Sequence, residues 1–165
     1  NIDAARFFSL EILPELQKPY PDTEFIVVGA RPVESVLELA KRPGVTVTGA
    51  VPRVAEYLHQ AAVSVVPLRS GYGIKNKTLE AMATGTPVVA SDRGLEGLPI
   101  DGSDVPLTEL RALRANRVEE YVEAISRLFE DEQLRNQLSG NGRSLIETQY
   151  TWEAIGQRYE EVLVK

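Results

Sequence analysis

The apolar residues of this chain change their spacing in a regular order. From Asp3 to Gln17, Ala4, Phe7, Phe8, Ile12 and Leu16 recur at helical intervals behind an acidic residue, which predicts an amphipathic helix capped by Asp3 and kinked or cut at Pro14. Phe25 to Val28 is then an unbroken apolar run closed by Gly29, the pattern of a parallel strand buried on both faces. Helical spacing returns with Pro32, Val33, Val36, Leu37 and Ala40 and stops before Pro43-Gly44. Val45 to Gly49 predicts a second strand, Pro52 to Ala61 a short helix, and Ala62 to Leu68 a third strand. After a glycine-containing loop, Asn76 to Thr84 predicts a helix and Thr86 to Ser91 a fourth buried strand. Between Asp101 and Asn116 the pattern weakens, and "DVPLTEL" and "RALRAN" fit either short strands or loop. Three helical stretches close the chain: Arg117 to Phe129, Glu132 to Thr148 and Trp152 to Leu163. The first carries a stripe of Val118, Tyr121, Val122, Ile125, Leu128 and Phe129.

Strands that alternate with helices over so short a span predict an α/β fold, a Rossmann-like doubly wound parallel sheet with flanking helices and a helical C-terminal tail. The 165 residues and 43% hydrophobic content suit a single domain with one core, residues 1–165. The chain opens at Asn1 without an initiator methionine, which predicts a piece of a longer protein.

Composition narrows the chemistry. Without cysteine there is no disulfide framework and no thiolate metal site, and with His59 as the single histidine a zinc centre would rest almost wholly on carboxylates, so no metal is expected. A net charge of -6 supplies no basic footprint for nucleic acid. No apolar run approaches the ~20 residues that span a bilayer, which predicts a cytoplasmic domain.

The stretch from Pro67 to Ser91, "PLRSGYGIKNKTLEAMATGTPVVAS", runs strand, glycine-rich loop, helix, glycine stop, strand. Loops that follow the carboxyl ends of parallel strands face helix N-termini, whose unpaired amides and partial positive charge attract anions. Gly71 and Gly73 would let backbone amides approach such an anion, with Lys75 and Lys77 adding charge at the start of the helix. Glu80, one turn after Lys77, stands where a carboxylate can reach vicinal ribose hydroxyls. Neither a Walker spacing nor G-x-G-x-x-G is present. From spacing alone, the glycines equally fit a plain chain turn, and Lys77 with Glu80 a solvated helix pair.

Resemblance adds a second line of argument. "GIKNKTLEAMATGTPVVASDRGLEGL" is similar to the signature region of family 4, or group 1, glycosyltransferases, retaining enzymes of the GT-B fold. "FFSLEILPELQKPYPDTEFIVVGARP", "VTVTGAVPRVAEYLHQAAVSVVPLRSG" and "TWEAIGQRYEEVL" resemble, in order, further parts of the same C-terminal domain, so the likeness covers nearly the whole chain. It implies a donor-binding half whose partner, the N-terminal acceptor domain of the same protein, lies outside this chain together with this domain's first strand. It implies that Glu80 binds the ribose, that Gly73, Ile74 and the adjoining loop of Ser70, Gly71, Tyr72 and Lys75 face the diphosphate, and that Lys77 contacts a phosphate. It implies that Gly49, Ala50 and Val51 approach the nucleobase. The expected ligand is a nucleotide diphosphate sugar, with no cofactor, no metal and no nucleic acid. Membrane association would be peripheral, through the other domain, and the fragment alone would be inactive. Many members carry a sugar-contacting glutamate where this chain has Tyr72, so donor-sugar recognition does not transfer. A nucleotide-sugar epimerase of the same architecture and a non-catalytic α/β interaction module are the rival readings.

Five other residues invite weighing. His59 reads as a surface or capping residue, Trp152 as packing for the last helix, and Asp92 as a turn cap or a cleft-lining group, with the cap favoured. Glu96 sits at a strand-to-helix corner as a solvated loop carboxylate or a donor contact, and Arg69 either helps the phosphates or snorkels at the rim.

Overall fold

A computed structural model describes residues 1–101, 105–151 and 153–155. The chain opens with α1 (Ile2–Phe7), a π-helical turn over Phe8–Ile12 and α2 (Leu13–Leu16). Pro14 explains the break. It has no N–H to give to the carbonyl four residues back, and the ladder slips one residue, with the Leu13 amide bonding the Phe8 carbonyl. Asn1, not Asp3, occupies the cap position, and Asp3 instead pairs with Arg69.

Among the described residues five parallel strands follow, in two hydrogen-bonded pieces. β1 (Phe25–Val28) pairs with β2 (Val45–Gly49), Phe25 opposite Val45. β3 (Ser64–Val66) pairs with β4 (Val88–Ala90), which pairs in turn with β5 (Leu113–Arg114). The helices between them are α3 (Glu34–Leu37), α4 (Val54–Gln60) and α5 (Asn76–Ala83), and α6 (Val118–Glu130) and α7 (Glu132–Gln149) come after β5. "RALRAN" therefore holds a short strand, and "DVPLTEL" a 3-10 turn over Leu107–Glu109. The predicted tail helix from Trp152 to Leu163 lies outside the described residues, apart from a helical turn at 153–155.

Alternation along β4 divides the core. Val89 joins Phe7, Ile12, Leu16, Tyr121, Ile125 and Leu128 on the side of α1, α2 and α6. Val88 and Ala90 join Ala81, Met82 and Leu145 on the side of α5 and α7. Side chains of successive strand residues point to opposite faces, so one strand buried at all three positions requires helices on both. α5 and α7 approach closely because Gly142 faces Met82, whose Cγ would lie 3.3 Å from an added Cβ.

Two expectations about β1 and α3 need correction. β1 is not buried on both faces: Ile26 is 44% exposed, and among the described residues β1 is hydrogen-bonded to β2 alone. β3 likewise uses a single edge. In α3 the expected apolar stripe shifts, since the chain tightens to a 3-10 helix over Glu38–Lys41. A repeat of three then buries Val36 and Leu39 and leaves Val33 and Leu37 exposed. Among the described residues no helix is long and apolar enough to cross a membrane.

Leu128 is fully buried in the first cluster, whereas Leu107 stands open to solvent. Leu128→Ala is expected to lower unfolding stability by ~2–5 kcal/mol, and Leu107→Ala to stay within ~0.5 kcal/mol, as read by urea denaturation. A second expectation concerns α6. Glu120 accepts from the Asn116 and Arg117 amides at 2.7 and 3.1 Å, which with the Arg117 side chain holds its carboxyl near 2 rather than the usual 4.5. A depressed carboxyl stabilises the fold above its unfolded value and loses that contribution as pH falls through the folded one. Glu120→Gln should therefore lower the thermal midpoint at pH 7, with the gap to wild type narrowing between about pH 4.5 and pH 2.

Candidate functional site

The carboxyl ends of parallel strands share one edge, and the loops leaving β3 and β4 meet there. Gly71 and Gly73 have φ of 102° and 77°, a region that side chains disfavour, so the glycines are needed for the path of the loop. No other atom lies within 4 Å of a Cβ built on Gly73. The cost of any other residue there is conformational. The loop delivers the chain to α5, whose Thr78 and Leu79 amides both bond the Lys75 carbonyl at 3.0 and 3.2 Å. Among the described residues no acceptor engages the amides of Asn76 and Lys77, and these open donors sit at the positive end of the helix dipole.

Contacts from the turn after β4 brace this mouth. Ser91 donates to the Leu68 carbonyl at 2.5 Å and accepts from the Gly94 amide at 3.1 Å, stitching the turn to the end of β3. Gly94 passes so close to the sheet that a Cβ would meet the Val66 carbonyl at 2.7 Å, which excludes any larger residue. Its own carbonyl accepts from the buried Thr78 hydroxyl at 2.7 Å. Gly97 abuts Ile74, and the Arg93 guanidinium lies 5.1 Å from the Tyr72 ring centre.

Lys77 and Glu80 are exposed on α5, and among the described residues neither side chain has a hydrogen-bond or ion-pair partner. Lys75 turns onto the loop itself: its Nζ donates to the Gly73 carbonyl at 2.6 Å and stands 3.8 Å from Glu96. Ser70, Tyr72 and Ile74 are exposed around the loop, Tyr72 at 86%. Gly49, Ala50 and Val51 leave the carboxyl end of β2, with Gly49 at a φ of 72°. No hydrogen bond or ion pair among the described residues joins them to the loop at 71–75. His59 is exposed on α4. Trp152 lies outside the described residues. Arg69 is held over the Phe7 ring at 4.5 Å and pairs with Asp3.

A cleft of about 260 Å³ opens at the same strand edge, and the sequence reading weighed Arg69 and Asp92 there but not Asn116 or Tyr121. It is lined by Pro67, Arg69, Ser91, Asp92, Asn116 and Tyr121, among others, residues that follow β3, β4 and β5. The rule that strand carboxyl ends form crevices could have located it. Asp92 lines this cleft and does not act as a turn cap. Arg114 donates to it at 2.7 Å and Asn116 accepts from its amide at 2.9 Å, and the Arg114 bond holds the Asp92 carboxyl below its usual range. Tyr121 is fully buried at the cleft wall, and burial pushes its phenol up.

Comparison with known proteins agrees with this architecture. The lipopolysaccharide 1,2-N-acetylglucosaminetransferase of Salmonella typhimurium is 28% identical over 133 residues, which are 78% of this chain and 34% of that enzyme. The chain thus spans about a third of that curated relative's length. The crystal structure of the C-terminal domain of a group 1 family glycosyl transferase (LpcC) from Francisella tularensis superposes with a TM-score of 0.64 at 20% identity, covering 90% of this chain and 79% of that one. Anabaena Alr3699/HepE, solved in complex with UDP, superposes with a TM-score of 0.75 at 16% identity, covering 93% and 44%. These neighbours show the same fold, one half of a GT-B architecture. Residues 1–131 match the family model described as glycosyl transferases group 1, and the chain belongs to that family.

Proposed function

We propose that this chain is the donor-binding half of a glycosyltransferase that moves a sugar, with retention, from a nucleotide diphosphate to an acceptor held by another domain of the same protein. The observation that carries the reading is the mouth of α5: open amides behind a two-glycine loop, with Lys77 and Glu80 exposed and unpaired on the same helix. The diphosphate sits against the amides, and Glu80 accepts from the ribose hydroxyls a turn deeper. The sugar-transfer name of the Salmonella relative and the UDP in the HepE structure support it.

Chemistry on this side of the cleft is leaving-group stabilisation. As the glycosidic bond breaks, charge gathers on the departing diphosphate, and fixed amide dipoles, the Lys77 ammonium and the helix dipole offset it without a metal. The nucleobase lies toward Gly49, Ala50 and Val51. The protein works on the cytoplasmic side, with any membrane contact made by the other domain.

The sheet itself supports a missing upstream strand. Among the described residues β1 and β3 each have one unpaired edge, yet both feed side chains into one core. Asp3 at the start of α1 pairs with Arg69 just beyond the carboxyl end of β3, so a parallel strand between β1 and β3 would lead directly into α1. An upstream extension carrying that strand should raise the thermal midpoint of the domain and cover Ile26 in hydrogen exchange.

Calorimetric titration of the full-length protein with UDP, GDP and ADP checks the site. One of them should bind, and Glu80→Ala should weaken it at least tenfold, in line with ~1.5–3 kcal/mol for a hydrogen bond to a charged group. No binding, or binding indifferent to the substitution, would sink the donor reading. Gly73→Ala should weaken the same nucleotide by about tenfold, because an alanine at that φ costs ~1–2 kcal/mol and the loop relaxes out of shape.

A further inference from the structure

Among the described residues, most carboxylates at the carboxyl ends of the strands are spoken for. Asp3 binds Arg69, and Asp92 and Asp101 both bind Arg114. Glu96 differs. Its Oε1 accepts from Arg93 Nη1 at 3.1 Å, while its Oε2 is shut off from solvent and accepts no hydrogen bond. Lys75 Nζ stands 3.8 Å from that oxygen, within reach for an ion pair but too far for a hydrogen bond, and donates instead to the Gly73 carbonyl.

Nor is Glu96 a freely solvated loop carboxylate. Its side chain is 33% exposed, and its turn is pinned by the Thr78 bond to Gly94 and by the contact of Gly97 with Ile74. It is therefore held at the rim of the α5 mouth. A fixed negative charge there repels a diphosphate, so its presence does nothing for the anion. What an ionised carboxylate with unused lone pairs does well is accept from neutral hydroxyls. The part of a nucleotide sugar that carries such hydroxyls beyond the phosphates is the transferred ring.

We propose that Glu96 is the specificity-determining acceptor for hydroxyls of the donor sugar, and that Lys75 turns from the Gly73 carbonyl to the arriving diphosphate, uncovering Oε2 for the ring. This rests on the donor-site reading above. It assigns the two anchors of the loop opposite duties: the ammonium follows the charged half of the ligand and the carboxylate reads the uncharged half. Arg93, braced on the Tyr72 ring, holds Oε1 and so sets the orientation of the carboxylate.

The test compares nucleotide with nucleotide sugar on the full-length protein by calorimetry: UDP, GDP and ADP beside UDP-glucose, UDP-N-acetylglucosamine, GDP-mannose and ADP-glucose. Glu96→Gln should leave the nucleoside diphosphate bound as well as before or more tightly, and weaken its sugar ester at least tenfold. Deoxy analogues of the preferred sugar give a second measure. At least one should bind wild type about tenfold more weakly than the parent, a preference that Glu96→Gln abolishes. Equal weakening of nucleotide and nucleotide sugar, no change in either, or retention of the wild-type preference among deoxy sugars would each overturn the proposal. Should the glutamine variant not fold, Glu96→Asp keeps the charge, retracts the carboxylate, and faces the same comparison. Failure of the donor reading shows separately, as wild type that binds no nucleotide or binding that ignores Glu80→Ala.

Discussion

The backbone pairing of β4 on both edges is the constraint from which the rest of the structure hangs. Its three residues are fully buried, with side chains in both halves of the core and backbone groups bonded to β3 and β5. A strand so enclosed cannot shift its register without driving every side chain to the wrong face. Its carboxyl end is thereby fixed, and the turn from Ser91 to Gly97 starts from a rigid platform. From there Ser91 reaches the end of β3, and Gly94 lies against Val66 and receives the Thr78 hydroxyl. The mouth of α5 is thus positioned from below by packing and from the side by that turn.

Charge at this edge is arranged by the same logic. Arg114 gathers Asp92 and Asp101, and Arg69 takes Asp3, so these groups neutralise one another near the strand ends. Exposed pairs of this kind contribute little to stability, but they remove competing charges from the neighbourhood of the loop. Left over on α5 are Lys77 and Glu80, the cation and the carboxylate that a phosphorylated, hydroxyl-bearing ligand can use. Lys75 and Glu96 occupy a middle state, restrained by the loop yet not satisfied by it.

Much of this was legible beforehand, for reasons that are local. Val45 to Gly49 matches β2 at both ends, and Asn76 to Thr84 matches α5 within a residue, because each begins and ends on its own glycine, proline or polar break. The stripe on α6 was readable because a 13-residue helix repeats its apolar face often enough to be unambiguous. Shorter elements failed that test. The one-turn α3 continues as a 3-10 helix and buries Leu39 in place of Leu37, a choice set by the neighbouring strands. β1 reads as doubly buried because four apolar residues in a row say nothing about whether a partner strand is present on each side.

By itself the sequence determined the order of strands and helices, the glycine-dependent loop at 71–73 and the carboxylate a turn into the helix that follows it. These depend on neighbours a few residues away, where spacing and backbone preference speak directly. Tertiary structure alone decided which charges are free. Asp3 finds Arg69 and Asp92 finds Arg114 across long stretches of chain, and Lys75 turns back on its own loop toward Glu96. Whether a lysine is a ligand group or an anchor depends on what folds beside it, and no spacing along the chain carries that distance.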